Sequence, residues 1–220
     1  MTLGPTNVLL DLDGTILDPF VGITSSYRHA LRGLGVAVPS AEDLAWVIGP
    51  PLRENFAKIL GTTDAPLVER AVALYRERFG DVGWSENVAY PGAFEMLRGL
   101  SARGVRLHLA TAKPQIYTDR IVERFGLLPL LSSVHGAALD ASRDDKAVIV
   151  RGILASEGVD PRRAAMVGDR AQDVRAAREN GVRSVGALWG YGSKDELLAA
   201  GADVLCALPS VVVTTLFGPA

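Results

Sequence analysis

The sequence predicts an α/β protein in which an all-helical domain is inserted into a core built on a doubly wound, mainly parallel sheet. After residue 91, short apolar runs alternate with amphipathic stretches that end in glycine, a pattern typical of right-handed βαβ crossovers. Between residues 24 and 87, apolar residues recur at helical spacing and no strand pattern is found. Because an apolar strand before residue 11 has only the later sheet to pair with, the helical region must interrupt the core.

The first half of the chain is assigned in order. Residues 8–10 form the first apolar strand. In the helical region, apolar spacing predicts one helix that ends at Gly35 and another that ends before Gly80. Between them, residues 44–60 indicate two shorter helices, separated at residues 49–51 where Gly-Pro-Pro breaks the pattern.

The second half of the chain supplies the other strands and the domain boundaries. Apolar runs predict strands at residues 106–111, 132–135, 164–168 and 184–188. Amphipathic helices end at Gly126, Gly158 and Gly181, and residues 211–213 belong to a final packed element. The predicted domains are a core of residues 1–18 and 89–220 and a helical cap of residues 19–88.

Composition and charge exclude several classes of protein. The 220 residues are 48% hydrophobic and 22% charged, as in ordinary globular proteins, and a net charge of -2 argues against a nucleic-acid partner. The single Cys206 cannot form an internal disulfide, and residues 1–6 do not resemble a signal peptide. No apolar run approaches the roughly 18 residues of a membrane span. We therefore expect a cytoplasmic protein without membrane contact, either a monomer or a homodimer.

Two carboxylates close the first strand. Asp11 and Asp13 follow the apolar run, and the alternation of side chains along a strand turns both to the same face. Paired carboxylates are expensive to bury unless a cation offsets their charge or one of them holds a proton. The pair therefore suggests Mg²⁺ chemistry. The alternative is a plain hairpin turn at Asp13-Gly14, since Asp-Gly favours turns.

Other polar residues lie at the ends of the neighbouring predicted strands, where open parallel sheets bind their ligands. They are Thr111, Ala112 and Lys113 after the second strand, Asp169 and Asp173 after the fourth, and Lys146 at the start of the helix before the fourth. Phosphoryl transfer from a Mg²⁺-bound ester requires a nucleophile, a metal cage and donors to the phosphate oxygens. The carboxylates, the Thr111 hydroxyl and the lysines at these strand ends supply this set.

At this point the sequence resembles the haloacid dehalogenase superfamily, and within it the phosphatases with a helical cap inserted after the first motif. The motifs are DLDGT at residues 11–15, LATAKP at 109–114, Lys146 within DDKAVIV, and VGDRAQD at 167–173. The later run GVRSVGALWGYGS, residues 181–193, is similar to members described as phosphoglycolate phosphatase-like or 5'-nucleotidase-like. The resemblance covers nearly the whole chain.

The resemblance implies a role for each acidic residue. Asp11 would attack phosphorus and become an aspartyl phosphate. Asp13 would protonate the leaving alkoxide and later deprotonate the hydrolytic water. Mg²⁺ would be held by Asp11, the backbone carbonyl of Asp13 and Asp169. Asp173 would be a further ligand or an anchor for one, although an acidic residue there also stabilises the N-terminus of a helix without any metal.

The resemblance also implies roles for the remaining polar residues. Thr111 and the amide of Ala112 would bind phosphate oxygens, and Lys146 would offset the charge around Asp11. Two interpretations stay open for Lys113, which either reaches the substrate phosphate or is exposed beside Pro114, a residue that suits the first position of a helix.

Two further segments are candidates for substrate contact. Residues 49–53 form the least regular part of the predicted cap and contain Arg53, which either contacts a substrate anion or points to solvent. Residues 189–192, Trp-Gly-Tyr-Gly, either line the entrance to the site or form a glycine-rich turn with packed aromatics.

The predicted function is a Mg²⁺-dependent phosphatase that acts on a small phosphorylated metabolite, such as phosphoglycolate, a nucleoside monophosphate or a sugar phosphate. A sugar-phosphate mutase resembling β-phosphoglucomutase would use the same motifs and return the phosphoryl group to sugar. A haloalkanoate dehalogenase needs neither Mg²⁺ nor a second acid, so Asp13 argues against it. A phosphorylatable signalling module resembling a receiver domain would leave the helical domain unexplained.

Overall fold

A computed structural model describes residues 4–139 and 145–218. It divides into two compact units: Met1–Asp18 together with Ala89–Ala220, here called the core unit, and Pro19–Val88, here called the helical unit. Two stretches used above lie partly outside the described residues, namely the chain start at residues 1–3 and the first aspartate of the DDKAVIV motif, residue 144.

The core unit is built on one parallel sheet. Its six strands are β1 (Asn7–Leu10), β4 (Arg106–Pro114), β5 (Ser133–Ala137), β6 (Ala164–Gly168), β7 (Arg183–Ala187) and β8 (Val204–Cys206), and two short strands, β2 (Leu17–Asp18) and β3 (Val88–Ala89), pair separately. Across the sheet the order is β5-β4-β1-β6-β7-β8, and each neighbouring pair is parallel. The predicted α/β fold with a parallel sheet is confirmed.

Helices account for most of the remaining structure. The helical unit contains α1 (Phe20–Gly33), α2 (Leu52–Leu60) and α3 (Ala65–Asp81), with short 3₁₀ helices at Glu42–Val47 and Gly83–Ser85. The core unit contains α4 (Ala93–Ser101), α5 (Gln115–Arg124), α6 (Lys146–Ser156), α7 (Ala171–Glu179), α8 (Lys194–Ala200) and α9 (Val212–Phe217). Within the described ranges, none of these helices has both the length and the apolar character needed to cross a bilayer.

The central strand β1 shows why the parallel sheet forms. All four of its residues are buried, and it pairs with β4 on one side and β6 on the other. Parallel strands covered on both faces are apolar along their length instead of alternating, as β1 is at Val8, Leu9 and Leu10. Because β1 lies at the centre of the sheet, the residue that follows it opens onto the middle of the carboxyl edge.

Strand β4 is longer than the sequence predicts. It continues past Thr111 to Pro114, with an irregular register against β5 between Ala110 and Pro114. Pro114 has extended backbone angles and precedes α5, so it does not supply the first helical residue. The extension matters because it carries Thr111, Ala112 and Lys113 to the carboxyl edge as part of the strand.

The helical unit is held together by aromatic side chains. The ring of Tyr27 in α1 lies 4.7 Å from that of Phe56 and 5.0 Å from that of Tyr75. The predicted break at residues 49–51 is present, and the buried Asn55 secures it by donating from Nδ2 to Val47 O (2.8 Å) and Pro50 O (3.2 Å).

The end predicted for the last helix of this unit is wrong. Helix α3 continues through Gly80 to Asp81. A glycine inside a helix costs only about 1 kcal/mol relative to alanine, which packing of the helix against α1 offsets.

A buried polar network lies at the amino end of the sheet. His108 in β4 contacts Ser133 Oγ through Nδ1 (2.8 Å) and Asn7 Oδ1 through Nε2 (3.0 Å). Arg106 Nε also donates to Asn7 Oδ1, at 3.0 Å. Burial is the main cause that lowers the pKa of His108 to about 4. The charge of Arg106 acts in the same direction, and that of Glu157 opposes the shift. The imidazole is therefore neutral in the folded protein at neutral pH.

This network predicts acid sensitivity that is specific to His108. An unfolded histidine titrates near 6.5, so between that pH and about 4 the unfolded chain binds more protons and the folded state loses stability as the pH falls. We expect His108→Gln to lack this contribution. The difference in unfolding free energy between parent and variant should shrink by about 2 kcal/mol from pH 7 to pH 5 in urea titrations. Parallel pH profiles for the two proteins would contradict the interpretation.

Candidate active site

The carboxyl ends of β1, β4 and β6 meet in the middle of the sheet. Asp11 directly follows β1 and extends its pairing, because its N–H donates to Val167 O in β6 at 3.0 Å. Thr111 lies within the neighbouring β4, and Asp169 directly follows β6. The side chains of all three are buried. Residues separated by up to 158 positions in sequence therefore share one edge of the sheet.

Lys146 is the cation at the centre of this edge. It is the first residue of α6, whose start is capped by Asp145 through a 2.8 Å bond from Ala147 N. Its Nζ lies 2.7 Å from Asp11 Oδ1 and 2.8 Å from Asp173 Oδ1, and it donates to Ala110 O at 3.1 Å. Burial opposes the charged form, but the two carboxylates raise the pKa of Lys146 above its ordinary value. The ammonium therefore stays charged.

Three buried carboxylates form a candidate metal centre. One oxygen from each of Asp11, Asp169 and Asp173 lies within 4.8 Å of the other two. Within residues 4–139 and 145–218, Lys146 is the one lysine that forms an ion pair with the cluster, so if all three carboxylates are ionised, two negative charges are not balanced by it. Among the residues that the structure describes, Asp169 Oδ1 is buried and has no hydrogen-bond partner. A divalent cation would supply both the missing charge and the missing contact.

The pKa values of this cluster agree with that interpretation. Burial raises the pKa of Asp169 well above its ordinary value, and the charges of Asp173 and Asp11 raise it further. Burial also raises the pKa of Asp173 to about 6, against the opposing charge of Lys146. Carboxyl groups that resist ionisation when no cation is present are the groups that release protons when a metal binds.

Asp173 stabilises the start of a helix with one oxygen and lies in the carboxylate cluster with the other. Its Oδ2 accepts a 3.0 Å hydrogen bond from Arg170 N and so caps the start of α7. Its Oδ1 contacts Lys146 in the carboxylate cluster. The two oxygens therefore serve different purposes, and the cap orients the one that faces the cluster.

A second ion pair lies beside the first. Lys113 Nζ is 2.8 Å from Asp13 Oδ2, and both residues belong to the carboxyl edge. Burial raises the pKa of Asp13, while Lys113 opposes that shift. Lys113 is 8% exposed, so the interpretation of an exposed lysine beside Pro114 is wrong. Thr111 and Lys113 are connected through the backbone, because Lys113 N donates to Thr111 Oγ1 at 3.2 Å.

The loop after β1 is both an acidic site and a turn. Gly14 has φ +81°, a conformation that L side chains rarely adopt, and its N–H donates to Leu17 O at 2.8 Å. A Cβ on Gly14 would lie 2.1 Å from Asp169 Oδ2. The two interpretations of Asp13-Gly14 are therefore compatible, since the turn allows Asp169 to approach this loop.

The structure shows what residues 189–192 contact, and it adds Asp18, to which the sequence interpretation gave no role in the site. Tyr191 N donates to Asp169 Oδ2 at 2.8 Å, and the Tyr191 hydroxyl donates to Asp18. Trp189 Nε1 donates to Thr15 O at 3.0 Å. Residues 189–192 thus contact the acidic loop and Asp169 directly. The glycines around Tyr191 were a signal of close backbone approach, but nothing local indicated Asp18 as a partner.

Arg53 lies in the helical unit. It is the second residue of α2, and its Nη2 donates to Glu69 Oε2 at 3.1 Å. This contact lowers the pKa of Glu69. Contact between Arg53 and a substrate stays a prediction.

Comparison with known proteins agrees with this site. The family model described as haloacid dehalogenase-like hydrolase matches residues 8–187. The chain belongs to this family. A 5'-nucleotidase of Pseudomonas aeruginosa is 40% identical over 201 residues, which cover 91% of this chain and 90% of that protein.

Two further relatives show the range of proteins that share this fold. The tyrosine-protein kinase PtkA of Mycobacterium tuberculosis is 37% identical over 191 residues, which cover 87% of this chain and 65% of that longer protein. The structure of a haloacid dehalogenase-like hydrolase from Streptococcus pneumoniae superposes with a TM-score of 0.89 at 26% identity, covering 96% of this chain and 98% of that one. The predicted family and the predicted enzyme class, a phosphatase of the haloacid dehalogenase type, are confirmed.

We predict that Lys146→Met destabilises the metal-free protein at neutral pH. Removing the ammonium leaves Asp11 and Asp173 buried beside each other without a cation, and breaking a buried ion pair in this way costs roughly 3 to 5 kcal/mol. Urea unfolding in the presence of a chelator measures the loss. Lys194→Met is the matched control, since Lys194 also begins a helix behind a capping residue but is exposed. Equal stability of the two variants would contradict the prediction.

Proposed function

We propose that this protein is a Mg²⁺-dependent phosphatase that hydrolyses a small phosphomonoester through an aspartyl phosphate on Asp11. The observation that supports it most is the buried cluster of Asp11, Asp169 and Asp173, which has two more negative charges than Lys146 compensates when all its members are ionised. A purely structural cluster would be expected to balance its charge internally, because unpaired buried charges are strongly destabilising.

The donor set suits Mg²⁺. Asp11, Asp169 and Asp173 would hold the ion, together with the backbone carbonyl of Asp13 that the family resemblance implies. These ligands are all oxygen, which hard divalent cations prefer over softer metals. When bound, the ion would neutralise charge on the phosphate and hold the ester in place.

Asp11 would act as the nucleophile. A carboxylate oxygen of Asp11 attacks phosphorus, the new Asp–O–P bond forms, and the bond from phosphorus to the ester oxygen breaks. Lys146 contacts Asp11 Oδ1 and holds the carboxylate in a fixed orientation. In the second step water attacks the same phosphorus atom, releases inorganic phosphate and restores the Asp11 carboxylate.

Asp13 would move the proton in both steps. It protonates the departing alkoxide and then removes a proton from the attacking water, so it ends each cycle as it began. Its raised pKa, caused by burial, favours a group that holds a proton before the first step. Lys113, 2.8 Å from Asp13, would stabilise the Asp13 carboxylate that forms when this proton leaves.

The donors for the phosphate oxygens would come from β4. Thr111 Oγ1 already accepts from Lys113 N, so its own hydroxyl proton is directed to another acceptor. The amide of Ala112 and the ammonium of Lys113 lie on the same strand end. Preorganised donors of this kind stabilise the charge that develops on phosphoryl oxygens.

Nucleoside 5'-monophosphates are the substrate class that we would test first. The 5'-nucleotidase of Pseudomonas aeruginosa matches over nine tenths of both chains at 40% identity, whereas a phosphoglycolate phosphatase of Agrobacterium fabrum is 30% identical. A panel of nucleotides, phosphoglycolate and sugar phosphates ranks the classes by kcat/KM. Equal amounts of alcohol and inorganic phosphate identify water as the acceptor, while isomerised sugar phosphate would identify a mutase.

We predict that Asp11→Asn abolishes phosphate release while leaving the fold intact. A neutral amide cannot form the acyl phosphate, and removal of a covalent nucleophile lowers kcat on the order of 10⁴-fold or more. Phosphate release at saturating Mg²⁺ is the measurement, with circular dichroism as a check on the fold. Asp195→Asn is the control, because Asp195 is an exposed aspartate in the first turn of α8. Appreciable turnover by the Asp11 variant would exclude Asp11 as the nucleophile.

A different result is expected for Asp13→Asn. The amide keeps the backbone carbonyl for the metal but cannot transfer a proton, an effect worth roughly 10² to 10⁴ in rate. The loss should be smaller for substrates with good leaving groups, such as 4-nitrophenyl phosphate, because their alkoxides need no proton. A loss independent of the leaving group would argue against proton transfer by Asp13 in the first step.

A further inference from the structure

Residues 189–192, here called the aromatic loop, contact the acidic site at three separate points. Trp189 Nε1 donates to Thr15 O at 3.0 Å, and Tyr191 N donates to Asp169 Oδ2 at 2.8 Å. The Tyr191 hydroxyl donates to the carboxylate of Asp18. The loop therefore connects the segment after β1 to the residue after β6.

The backbone of the aromatic loop packs directly against these residues. A Cβ on Gly190 would lie 2.3 Å from Gly14 O and 2.5 Å from Asp169 Oδ2, both far closer than side-chain carbons approach such atoms. No side chain can therefore separate the loop from Asp169. Contacts this close give the Tyr191 N–H a defined position relative to the Asp169 carboxylate.

The two oxygens of Asp169 are consequently distinguished. Oδ2 is held by Tyr191 N, while Oδ1 is buried and has no hydrogen-bond partner among the described residues. A carboxylate held by one oxygen presents the other in a fixed direction. Groups that orient a metal ligand in this way commonly change metal affinity 10- to 100-fold when they are removed.

The Tyr191 side chain attaches the aromatic loop to a second part of the core unit. Its hydroxyl donates to Asp18, the last residue of the first core segment, and also shares a hydrogen bond with the Tyr90 hydroxyl. Tyr90 is itself secured by a 3.1 Å bond from its N–H to Ile16 O. Tyr191 thus contacts Asp169 through its backbone N–H. Through its hydroxyl it contacts Asp18, which belongs to the chain segment that begins with Asp11.

We propose that Tyr191 is a positioning residue for Asp169, and that its hydrogen bond to Asp18 sets the affinity of the carboxylate cluster for a divalent cation. This inference rests on the proposed function, because it assumes that Asp169 is a metal ligand. The proposed role belongs to the Tyr191 hydroxyl and not to packing of its aromatic ring. The two can be separated, because Tyr191→Phe removes only the hydroxyl and retains the ring.

The test compares Tyr191→Phe with the parent by calorimetric titration of Mg²⁺ into the full-length protein without substrate. We expect Kd for Mg²⁺ to rise roughly tenfold. Raising the Mg²⁺ concentration should then restore the kcat of Tyr191→Phe, because the defect lies in occupancy of the site and not in the chemistry. Unchanged Mg²⁺ affinity in this variant would overturn the proposal.

Variants of Asp18 test the partner. Asp18→Asn keeps an oxygen that can accept from the Tyr191 hydroxyl and should bind Mg²⁺ like the parent. Asp18→Ala removes the acceptor and should weaken binding as much as Tyr191→Phe does. The double variant should bind no more weakly than Tyr191→Phe alone, since that substitution already removes the bond to Asp18. Additive losses would show that the two residues act independently and would overturn the proposal, and these variants decide the question if Tyr191→Phe does not fold.

Tyr27→Phe is the control for general destabilisation. The Tyr27 hydroxyl is also buried and hydrogen-bonded, accepting from Asn55 Nδ2 at 3.0 Å, but it lies in the helical unit. It should lower thermal stability and leave Mg²⁺ affinity unchanged. If the parent itself binds no Mg²⁺, the proposed function and this inference both fail. If the parent binds Mg²⁺ and hydrolyses phosphomonoesters but Tyr191→Phe binds equally well, only the inference fails.

Discussion

The contact of Lys146 with Asp11 and Asp173 is the interaction on which the rest of the site depends. It places an ammonium at 2.7 and 2.8 Å from two buried carboxylates and compensates only part of their charge. When all three carboxylates are ionised, a second lysine between Asp11 and Asp169 would reduce the excess from two negative charges to one. With one lysine the ionised cluster keeps an excess of negative charge that water cannot solvate at a buried site, which supports the proposed binding of a divalent ion.

The fold supplies this arrangement by bringing short segments to the middle of one sheet edge. β1 lies between β4 and β6, so the residues that follow these three strands are neighbours whatever their distance along the chain. Helix α6 starts at the same edge and contributes Lys146 as its first residue. Parallel topology is the cause, since it directs every carboxyl end the same way, and a ligand at that edge meets several segments at once.

The carboxylates to which we assign different roles also have different partners. Asp11 contacts a lysine that is shared with Asp173, Asp13 contacts Lys113, and Asp169 accepts from a backbone N–H. A nucleophile needs to stay ionised, a proton-transfer group needs to change its protonation state, and a metal ligand needs a fixed orientation. The three aspartates have the same side chain, so in the proposed mechanism their partners are what distinguishes them.

Local patterns in the sequence were enough to predict the strands β1, β6 and β7, the helical insertion and the acidic residues at the strand ends. These features depend on periodicity and on residues that are close in sequence. The three-residue strand β8, the continuation of α3 through Gly80, the pairing of Lys113 with Asp13 and the contact of Tyr191 with Asp169 and Asp18 required the tertiary structure. A strand of three residues is too short to show a period, and a contact across 173 positions is decided by how the sheet stacks its loops. The sequence by itself therefore determined which residues are available for chemistry, whereas packing decided which of them touch, because contact geometry depends on the whole sheet and not on any one segment.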